Sequence, residues 1–445
     1  MGQASSCGHP SIEQDFFAAA QYNELEEAKI ILRRDPGVIR RTTVYDRASA
    51  LHIAAANGHD EMLSMLLERW GKPDALNRHK QTPLMAAAMR GKIACVEKLL
   101  RAGANILMFD SGHGRTCLHY AAYHGHSDCL QAILQAAHSN PVAESWGFAR
   151  FVNVRDAKGA TPLHLAAKQG RASCIRILLD EGALVCSSTG DHGYPGNTPL
   201  HLAARVGCLD CTRELLSRGA DRLQTDSSGQ IPYVIALKRK HIACAALLNP
   251  TSAEPVVWPS QLKFISELNP ETKFLLEKAL VEANRKREKK IMKKILYSLS
   301  SPNCSEDGID DSTSEASEIE LCCICFDKAC TIEVRDCGHQ MCADCTLALC
   351  CHSKPNSATA CPPAPVCPFC RSNIAQLVVA ESNTQENLDK ESSPRLKSAR
   401  HNWNLRGEGS SSFKGLPSAM GSFGNMSSRG SGSIVNSSDF IDNKS

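Results

Sequence analysis

Apolar and polar positions alternate in a repeating pattern along residues 11–248. Five clear units share a Ser or Thr, a Leu two residues later, an Ala-Ala pair and a Gly, and they begin at Ser49, Thr82, Thr116, Thr161 and Thr198. Successive units start 33, 34, 45 and 37 residues apart. Ser or Thr caps a helix start, Pro suits its first turn, and Gly suits its end. The pattern therefore predicts short paired helices, packed closely through their small Ala residues.

The spacing and the motif Thr161-Pro-Leu-His164, repeated at residues 198–201, resemble the ankyrin repeat. We count six repeats within residues 11–248, with a partial seventh left open. Degenerate units at residues 16–32 and 231–248 suit the two ends, where an apolar face must be covered. The resemblance implies a solenoid that binds proteins through its concave face and its hairpin tips. The candidate tips are residues 77–81, 110–115, 156–160 and 226–230.

Two features of the array need an interpretation. The 45-residue step contains an insertion at residues 138–152, with Trp146 and Phe148, which either packs on the solenoid or contacts a partner. The motif histidines recur at one position of separate repeats, which favours bonds to the backbone over metal binding. These histidines are His52, His119, His164 and His201.

Residues 249–299 connect the array to the rest of the chain, and residues 271–299 read as a helix. This helix contains a basic stretch at residues 285–290, joined by Lys293 and Lys294. A nuclear import signal, a calmodulin-type target, an anionic-membrane patch and a solvated helix face all fit that stretch. Residues 300–320 follow with seven acids and no base, which predicts a disordered spacer that lets the next module swing. The Ser- and Gly-rich residues 381–445 are also expected to be disordered.

Composition restricts the class of protein. The net charge is only +3, so whole-chain electrostatics do not favour nucleic acid. No run of about 18 apolar residues could span a bilayer, and the first 20 residues lack the pattern of a secretory signal. The 22 Cys are therefore expected to be thiols and metal ligands in a reducing compartment.

Residues 321–372 concentrate the metal-binding chemistry. Three Cys-x-x-Cys pairs and one Cys-x-His pair supply eight ligands, which suffice for two tetrahedral structural zinc ions. The ligands are Cys322, Cys325, Cys337, His339, Cys342, Cys345, Cys367 and Cys370. Sequential pairing would use four neighbouring ligands per zinc, and interleaved pairing would alternate the pairs. The spacing alone does not decide between them.

The ligand order resembles the RING finger, a small α+β domain whose zinc sites are interleaved. That resemblance implies one zinc on Cys322, Cys325, Cys342 and Cys345, and the other on Cys337, His339, Cys367 and Cys370. It also implies ubiquitin transfer without a covalent intermediate, since RING domains position a ubiquitin-loaded conjugating enzyme. The matching contact positions for that enzyme are Ile324, Leu349, Pro368 and Arg371.

Residues 1–10 contain an acylation motif. Gly2 and Ser6 fit the N-myristoylation pattern, and Cys7 is a candidate for palmitoylation. One acyl chain binds membrane only marginally, so Cys7 would supply the second anchor.

The order of acylation motif, ankyrin array, basic helix and RING resembles a family of plant ankyrin-RING ubiquitin ligases. The phrases Leu51-His-Ile-Ala-Ala-Ala-Asn-Gly58, Ser145-Trp-Gly-Phe-Ala-Arg150 and Cys337-Gly-His-Gln-Met-Cys342 add to the resemblance. It implies a mostly α protein with a zinc-stabilised RING, self-ubiquitination, association with a receptor kinase and a role in immune or hormone signalling. The expected location is the cytoplasmic face of the plasma membrane with a cytosolic pool, and a nuclear pool is a further option.

Two other functions fit parts of the sequence. A non-enzymatic scaffold would use the zinc module only for association. A nucleic-acid-binding zinc finger would need paired His ligands and a 12-residue spacing, which this module lacks.

Overall fold

The computed structural model describes residues 11–139, 145–190, 195–259, 267–299, 321–351 and 365–380. These residues form a mostly helical array followed by a long helix and a small module with a sheet. The acylation motif with Gly2 and Cys7, the acidic stretch 300–320 and the tail 381–445 lie outside the described residues.

Seven helix pairs make up the array within the described residues. The two terminal pairs coincide with the degenerate units of the sequence. The described part of the array therefore has seven complete pairs, where the sequence indicated six repeats and left a partial seventh open. The pairs are α1 (Ile12–Tyr22) with α2 (Leu25–Arg34), α3 (Ala50–Asn57) with α4 (Asp60–Trp70), α5 (Pro83–Arg90) with α6 (Ile93–Arg101), α7 (Cys117–His124) with α8 (Ser127–His138), α10 (Pro162–Lys168) with α11 (Ala172–Asp180), α12 (Pro199–Val206) with α13 (Leu209–Ser217), and α14 (Pro232–Lys238) with α15 (Ile242–Leu248).

Helix α5 shows why the repeat motif folds in this way. Thr82 is its N-cap, where the side-chain oxygen accepts a hydrogen bond from the backbone N–H of Met85 at 3.2 Å. Pro83 occupies the first turn, and Gly91 ends the helix with a left-handed φ of 70°. A Cβ at Gly91 would also lie 2.5 Å from the ring of His126 in the next repeat, so only Gly fits there.

The motif histidines join neighbouring repeats through the backbone, as expected. In each, Nδ1 accepts from the N-cap backbone N–H of its own helix, so Nε2 carries the proton. Nε2 then donates to a carbonyl of the next repeat. The donor–acceptor pairs are His52 to Gln81 (2.9 Å), His119 to Ala160 (3.2 Å), His164 to Asn197 (3.2 Å) and His201 to Gln230 (3.0 Å).

The insertion in the middle of the array packs on the solenoid. Its short helix α9 (Phe148–Val152) buries Phe151 completely. Phe148 stacks on His138 with ring centroids 4.0 Å apart, and Trp146 packs against the core of the array. The aromatic residues of the described insertion therefore complete the core.

A continuous helix of 30 residues, α16 (Pro270–Leu299), follows the array. Leu276, Ala279 and Leu280 are buried in the core of the small module, whereas Ile291 is buried in the core of the array. Phe274, which the apolar pattern would also place on the buried face, is 65% exposed. The apolar positions of this helix therefore serve two different cores.

The small module contains α17 (Ala343–Cys351) and a four-stranded sheet of order β1–β4–β2–β3. The strands are β1 (Glu267–Leu268), β2 (Ile332–Val334), β3 (His339–Met341) and β4 (Gln376–Val379). β2 pairs antiparallel with β3 and β4, and β1 pairs parallel with β4. Strand β4 lies beyond residue 372, the predicted end of the module, so the module extends further than the sequence indicated. No helix among the described residues combines the length and apolarity of a membrane span.

The contacts of α16 correct one expectation. We expected the acidic stretch to let the zinc module swing relative to the array. Instead, the module shares its core with α16, and α16 packs on α15 of the last repeat.

Candidate metal centres

Two clusters of Cys and His side chains lie in the small module. In each cluster the four ligand atoms lie within 4.8 Å of one another. The clusters are Cys322, Cys325, Cys342 and Cys345, and Cys337, His339, Cys367 and Cys370. This is the interleaved arrangement, because neighbouring ligand pairs belong to different clusters. Sequential pairing, in which each zinc would use four neighbouring ligands, does not agree with these two clusters.

The geometry of the clusters fits zinc. A Zn–S bond of about 2.3 Å places two sulfurs of a tetrahedral site about 3.8 Å apart. Cys325 Sγ and Cys342 Sγ are 3.7 Å apart. His339 Nδ1 is buried and has no hydrogen-bond partner among the described residues, which suits a nitrogen that binds a metal. The module is therefore compatible with two structural zinc ions.

Backbone N–H groups prepare one ligand of the first cluster. Burial raises the pKa of the Cys322 thiol, but hydrogen bonds from the backbone at Cys342, Cys325 and Ile324 outweigh it and lower that pKa to about 6. The thiolate is the form that binds a metal, so this loop favours the ligand form.

The second cluster has a similar device at Cys370. The hydroxyl of Ser372 lies 2.9 Å from Cys370 Sγ and is the main reason that the pKa of this thiol falls to about 6. His339 is placed by Gly338, whose left-handed φ of 68° turns the chain into β3. Phe369 stacks on the His339 ring at 5.2 Å between centroids. Ser372 therefore favours the thiolate of Cys370, while Gly338 and Phe369 help to place the His339 ring.

Three of the cluster cysteines also contribute to the module's core. Cys322, Cys342 and Cys367 are nearly fully buried, together with Ile332 and Leu377 of the sheet. Folding of the module and formation of its metal clusters are therefore coupled.

The four residues predicted to contact a conjugating enzyme all lie in this module. Ile324 is 42% exposed, and Pro368 and Arg371 are exposed, with Arg371 at a left-handed φ of 62°. Leu349 is half-buried on α17 and packs against the module's core. Three predicted contacts are thus available to a partner, and Leu349 only partly.

Two further exposed residues of this region were not among the predicted contacts. Phe326 and Phe369 are exposed apolar side chains close in sequence to Ile324 and Pro368, at 75% and 41%. Each of them lies next to a zinc ligand in the sequence, and this position could have identified them as further candidate contacts. Cys350, which is not one of the eight predicted ligands, is buried in the module's core.

Comparisons with known proteins agree with this geometry. Residues 321–376 match the family model described as the E3 ubiquitin-protein ligase XB3/XBAT31 RING finger. Residues 16–110 and four overlapping segments as far as residue 257 match the model described as ankyrin repeats (3 copies).

Full-length relatives have the same organisation. The chain is 65% identical over 440 residues to the E3 ubiquitin-protein ligase XB3 of Oryza sativa subsp. japonica, covering 98% of this chain and 97% of that protein. It is 60% identical over 457 residues to XBAT31 of Arabidopsis thaliana, covering 99% of both chains. It is 56% identical over 438 residues to XBOS31 of Oryza sativa subsp. japonica, covering 98% and 94%. The chain therefore belongs to the plant XB3/XBAT31 family of ankyrin-repeat, RING-type E3 ubiquitin-protein ligases.

Proposed function

We propose that this protein transfers ubiquitin from a conjugating enzyme to a protein that its ankyrin array holds. The observation that supports this most directly is the interleaved pair of Cys/His clusters in a segment that matches the XB3/XBAT31 RING finger. Family membership over nearly the whole chain adds the array and the RING in the same order.

Transfer by this RING depends on positioning. Ile324 and Pro368 offer exposed apolar contacts to the conjugating enzyme. Arg371 directly follows the last zinc ligand, where the resemblance to RING fingers implies a cation that bridges that enzyme and ubiquitin. Fixing the thioester in a reactive geometry lowers the entropic part of the barrier, so no nucleophile is needed on this chain. Zinc, when bound, supplies only the cross-links that hold the contact loops.

The hairpin tips of the array form an ordered surface for a protein partner. Asn77 Oδ1 accepts hydrogen bonds from the backbone N–H groups of His79 and Gln81, both at 2.9 Å. The N–H of Ser111 in the next tip donates to the carbonyl of His79 at 2.8 Å. Tips that are ordered before binding lose little entropy when a partner docks.

Removal of the Ile324 side chain tests the enzyme directly. With ubiquitin, activating enzyme and a panel of conjugating enzymes, the zinc-loaded chain is expected to form ubiquitin chains, and Ile324→Ala is expected to lose at least about tenfold, or ~1.4 kcal/mol. Zinc content should stay at two per chain. The matched control is Ile242→Ala, because Ile242 is 58% exposed on the array.

The opposite results have clear meanings. If no conjugating enzyme gives chains with the wild type, the protein is a scaffold. If Ile324→Ala loses zinc, Ile324 packs the module and does not contact the enzyme.

The N-terminus supports a membrane location as part of the same proposal. Myristoylation at Gly2 with palmitoylation at Cys7 would give two anchors, enough for stable binding to the cytoplasmic face of the plasma membrane. There the array would meet a receptor kinase, and ubiquitin transfer would serve plant immune or hormone signalling. The resemblance of the chain to its family, and the motif itself, support this part.

A further inference from the structure

We propose that residues 253–258 and helix α16 clamp the RING onto the last repeats, and that Trp258, Asn284 and Arg287 are positioning residues for ubiquitin transfer. They would fix where the RING lies relative to the array and so restrict which lysines reach the conjugating enzyme. The inference rests on the proposed function, because it concerns the direction of the same transfer.

On the RING side, α16 is part of the module's core. Leu276 is fully buried with the zinc-cluster cysteines, and Ala279 and Leu280 are buried beside it. The hydroxyl of Thr272, itself fully buried, donates to the carbonyl of Leu377 in β4 at 3.4 Å. The two residues of β1, which lead into α16, extend the RING sheet by pairing with β4. The helix and the RING therefore move together.

On the array side, Arg287 holds the same helix. This side chain is only 9% exposed, and Nε donates to the carbonyl of Ala253 at 2.6 Å. Nη2 donates to the carbonyl of Leu247, in the last helix of the array, at 3.3 Å. Burial lowers the pKa of Arg287, yet a guanidinium stays charged, so these backbone acceptors compensate a cation removed from water.

Asn284 makes a two-point contact with residue 256. Its Oδ1 accepts from the N–H of Val256, and its Nδ2 donates to the Val256 carbonyl, both at 2.9 Å. A side-chain amide that satisfies both backbone groups of one residue fixes its position as well as its orientation. Val256 in turn packs against the core that α16 shares with the RING.

Trp258 contacts both bodies. Its backbone N–H donates to the carbonyl of Ser217 in the array at 2.7 Å, while its ring packs against the core that α16 shares with the RING. The guanidinium of Arg218 lies 5.7 Å from the centre of this ring and 3.8 Å from the carboxylate of Glu277 on α16. Segment 253–258 is thus held between the array and α16.

The distance between the two attachments is short. Leu276 and Arg287 are eleven residues apart on one helix, which corresponds to about 16 Å. A helix of three turns held at both ends leaves little freedom, so the RING should keep one orientation. Lysines of a bound protein would then be selected by their place relative to the array.

A distance measurement tests the clamp without ubiquitin. Fluorophores on genetically encoded azido residues at Val206 of the array and Leu321 of the RING, both exposed, would report the distance by single-molecule energy transfer in the full chain. We expect one narrow distribution for the wild type and for the exposed-face control Lys289→Met/Lys293→Ala. Asn284→Ala/Arg287→Met should broaden it. A broad distribution in the wild type would overturn the clamp.

A second measurement connects the clamp to transfer. With the dilute full chain and a loaded conjugating enzyme, mass spectrometry would map self-modified lysines, and discharge to free lysine would measure the RING alone. The double variant should discharge to free lysine within about twofold of the wild type but modify a different or wider set of lysines. An unchanged set in a variant whose distance distribution has broadened contradicts the positioning role. Failure of discharge in the wild type would instead contradict the proposed function.

Discussion

Cys322 and Cys323 are adjacent in sequence but differ in their surroundings. Cys322 is fully buried in the first metal cluster, whereas Cys323 is exposed and belongs to neither cluster of the described residues. Spacing already identified Cys322 as the ligand, because Cys323 leaves only one residue before Cys325. The ligand set could therefore be predicted from the sequence. The spacing alone did not give the interleaved pairing, because that pairing depends on how β3 and α17 bring distant ligand pairs together. It was predicted only through the resemblance to RING fingers.

The adjacent cysteines give a matched pair of variants. Cys322→Ser is expected to lose zinc from the first cluster and to unfold the module, since structural zinc contributes on the order of 10–16 kcal/mol to folding. Cys323→Ser should keep two zinc ions per chain. Metal analysis of the purified proteins measures both. Zinc loss that is equal in the two variants would contradict the assignment.

His339 tests the second cluster in the same way. Structural zinc is also held by four cysteines, so His339→Cys preserves a ligand and should retain the metal, whereas His339→Ala should lose the second zinc. Metal analysis of the two variants distinguishes them. If His339→Ala retained both ions, Nδ1 of His339 would be buried for another reason.

Among the helices, the motif histidines, which lie in the first helices of four repeats, make the array sensitive to acid. Burial lowers the pKa of His119 and of His164 to about 4, and it also lowers the pKa of His52 and His201. In the folded array Nδ1 accepts a backbone hydrogen bond, which protonation would break. The unfolded chain has a His pKa near 6.5, so it binds more protons than the folded array between pH 6.5 and pH 4. Their stabilisation is complete above pH 6.5 and is lost as the pH falls toward 4.

The substitution His164→Gln isolates this effect. Gln can still accept the hydrogen bond from the N-cap backbone but does not titrate. At neutral pH we expect the variant to be about 1 kcal/mol less stable than the wild type, because it lacks the bond to Asn197. At pH 4 we expect it to be up to about 2 kcal/mol more stable, because the wild type alone loses about 3 kcal/mol through protonation of His164. Thermal unfolding across pH 4–7 measures both, with exposed His79→Gln as the control. Parallel pH profiles for wild type and His164→Gln would contradict the burial argument.

The positions of the helices could be predicted from the sequence better than the elements that pack against them. The periodicity of α16 predicted a helix at residues 271–299, within one residue of its observed start. The periodicity did not predict that Leu276 would be buried by the RING while neighbouring Phe274 stays exposed. An apolar position in a helix does not show which other element will pack against it. Nor could the two residues of β1 be predicted, since so short a strand has no periodicity of its own.

At the scale of the whole molecule, the order of domains could be predicted from motifs and family resemblance. Their mutual placement could not, because it depends on single side chains such as Asn284 and Arg287. The basic composition of residues 285–290 fitted a nuclear import signal, a calmodulin-type target, an anionic-membrane patch or a solvated helix face. Arg287 within this stretch is instead a buried contact to the array.

The proposed membrane association would also be a property of the whole molecule. Gly2→Ala removes the acceptor for myristate, so it should move most of the protein from the membrane to the soluble fraction. Cys7→Ser should have a partial effect, because a single acyl chain binds only marginally. Fractionation of plant cells that express each variant measures this, and an unchanged distribution for Gly2→Ala would remove the anchor.

We propose that the RING fixes a ubiquitin-loaded conjugating enzyme in a reactive geometry. Single-turnover discharge of ubiquitin from that enzyme to free lysine tests it most directly, using the zinc-loaded full chain. We predict that the wild type accelerates discharge and that Arg371→Ala slows it at least about tenfold, or ~1.4 kcal/mol. The control Arg239→Ala, at an exposed site on the array, should match the wild type. If the wild type does not accelerate discharge from any conjugating enzyme of the panel, the RING does not position that enzyme and the proposed function is wrong.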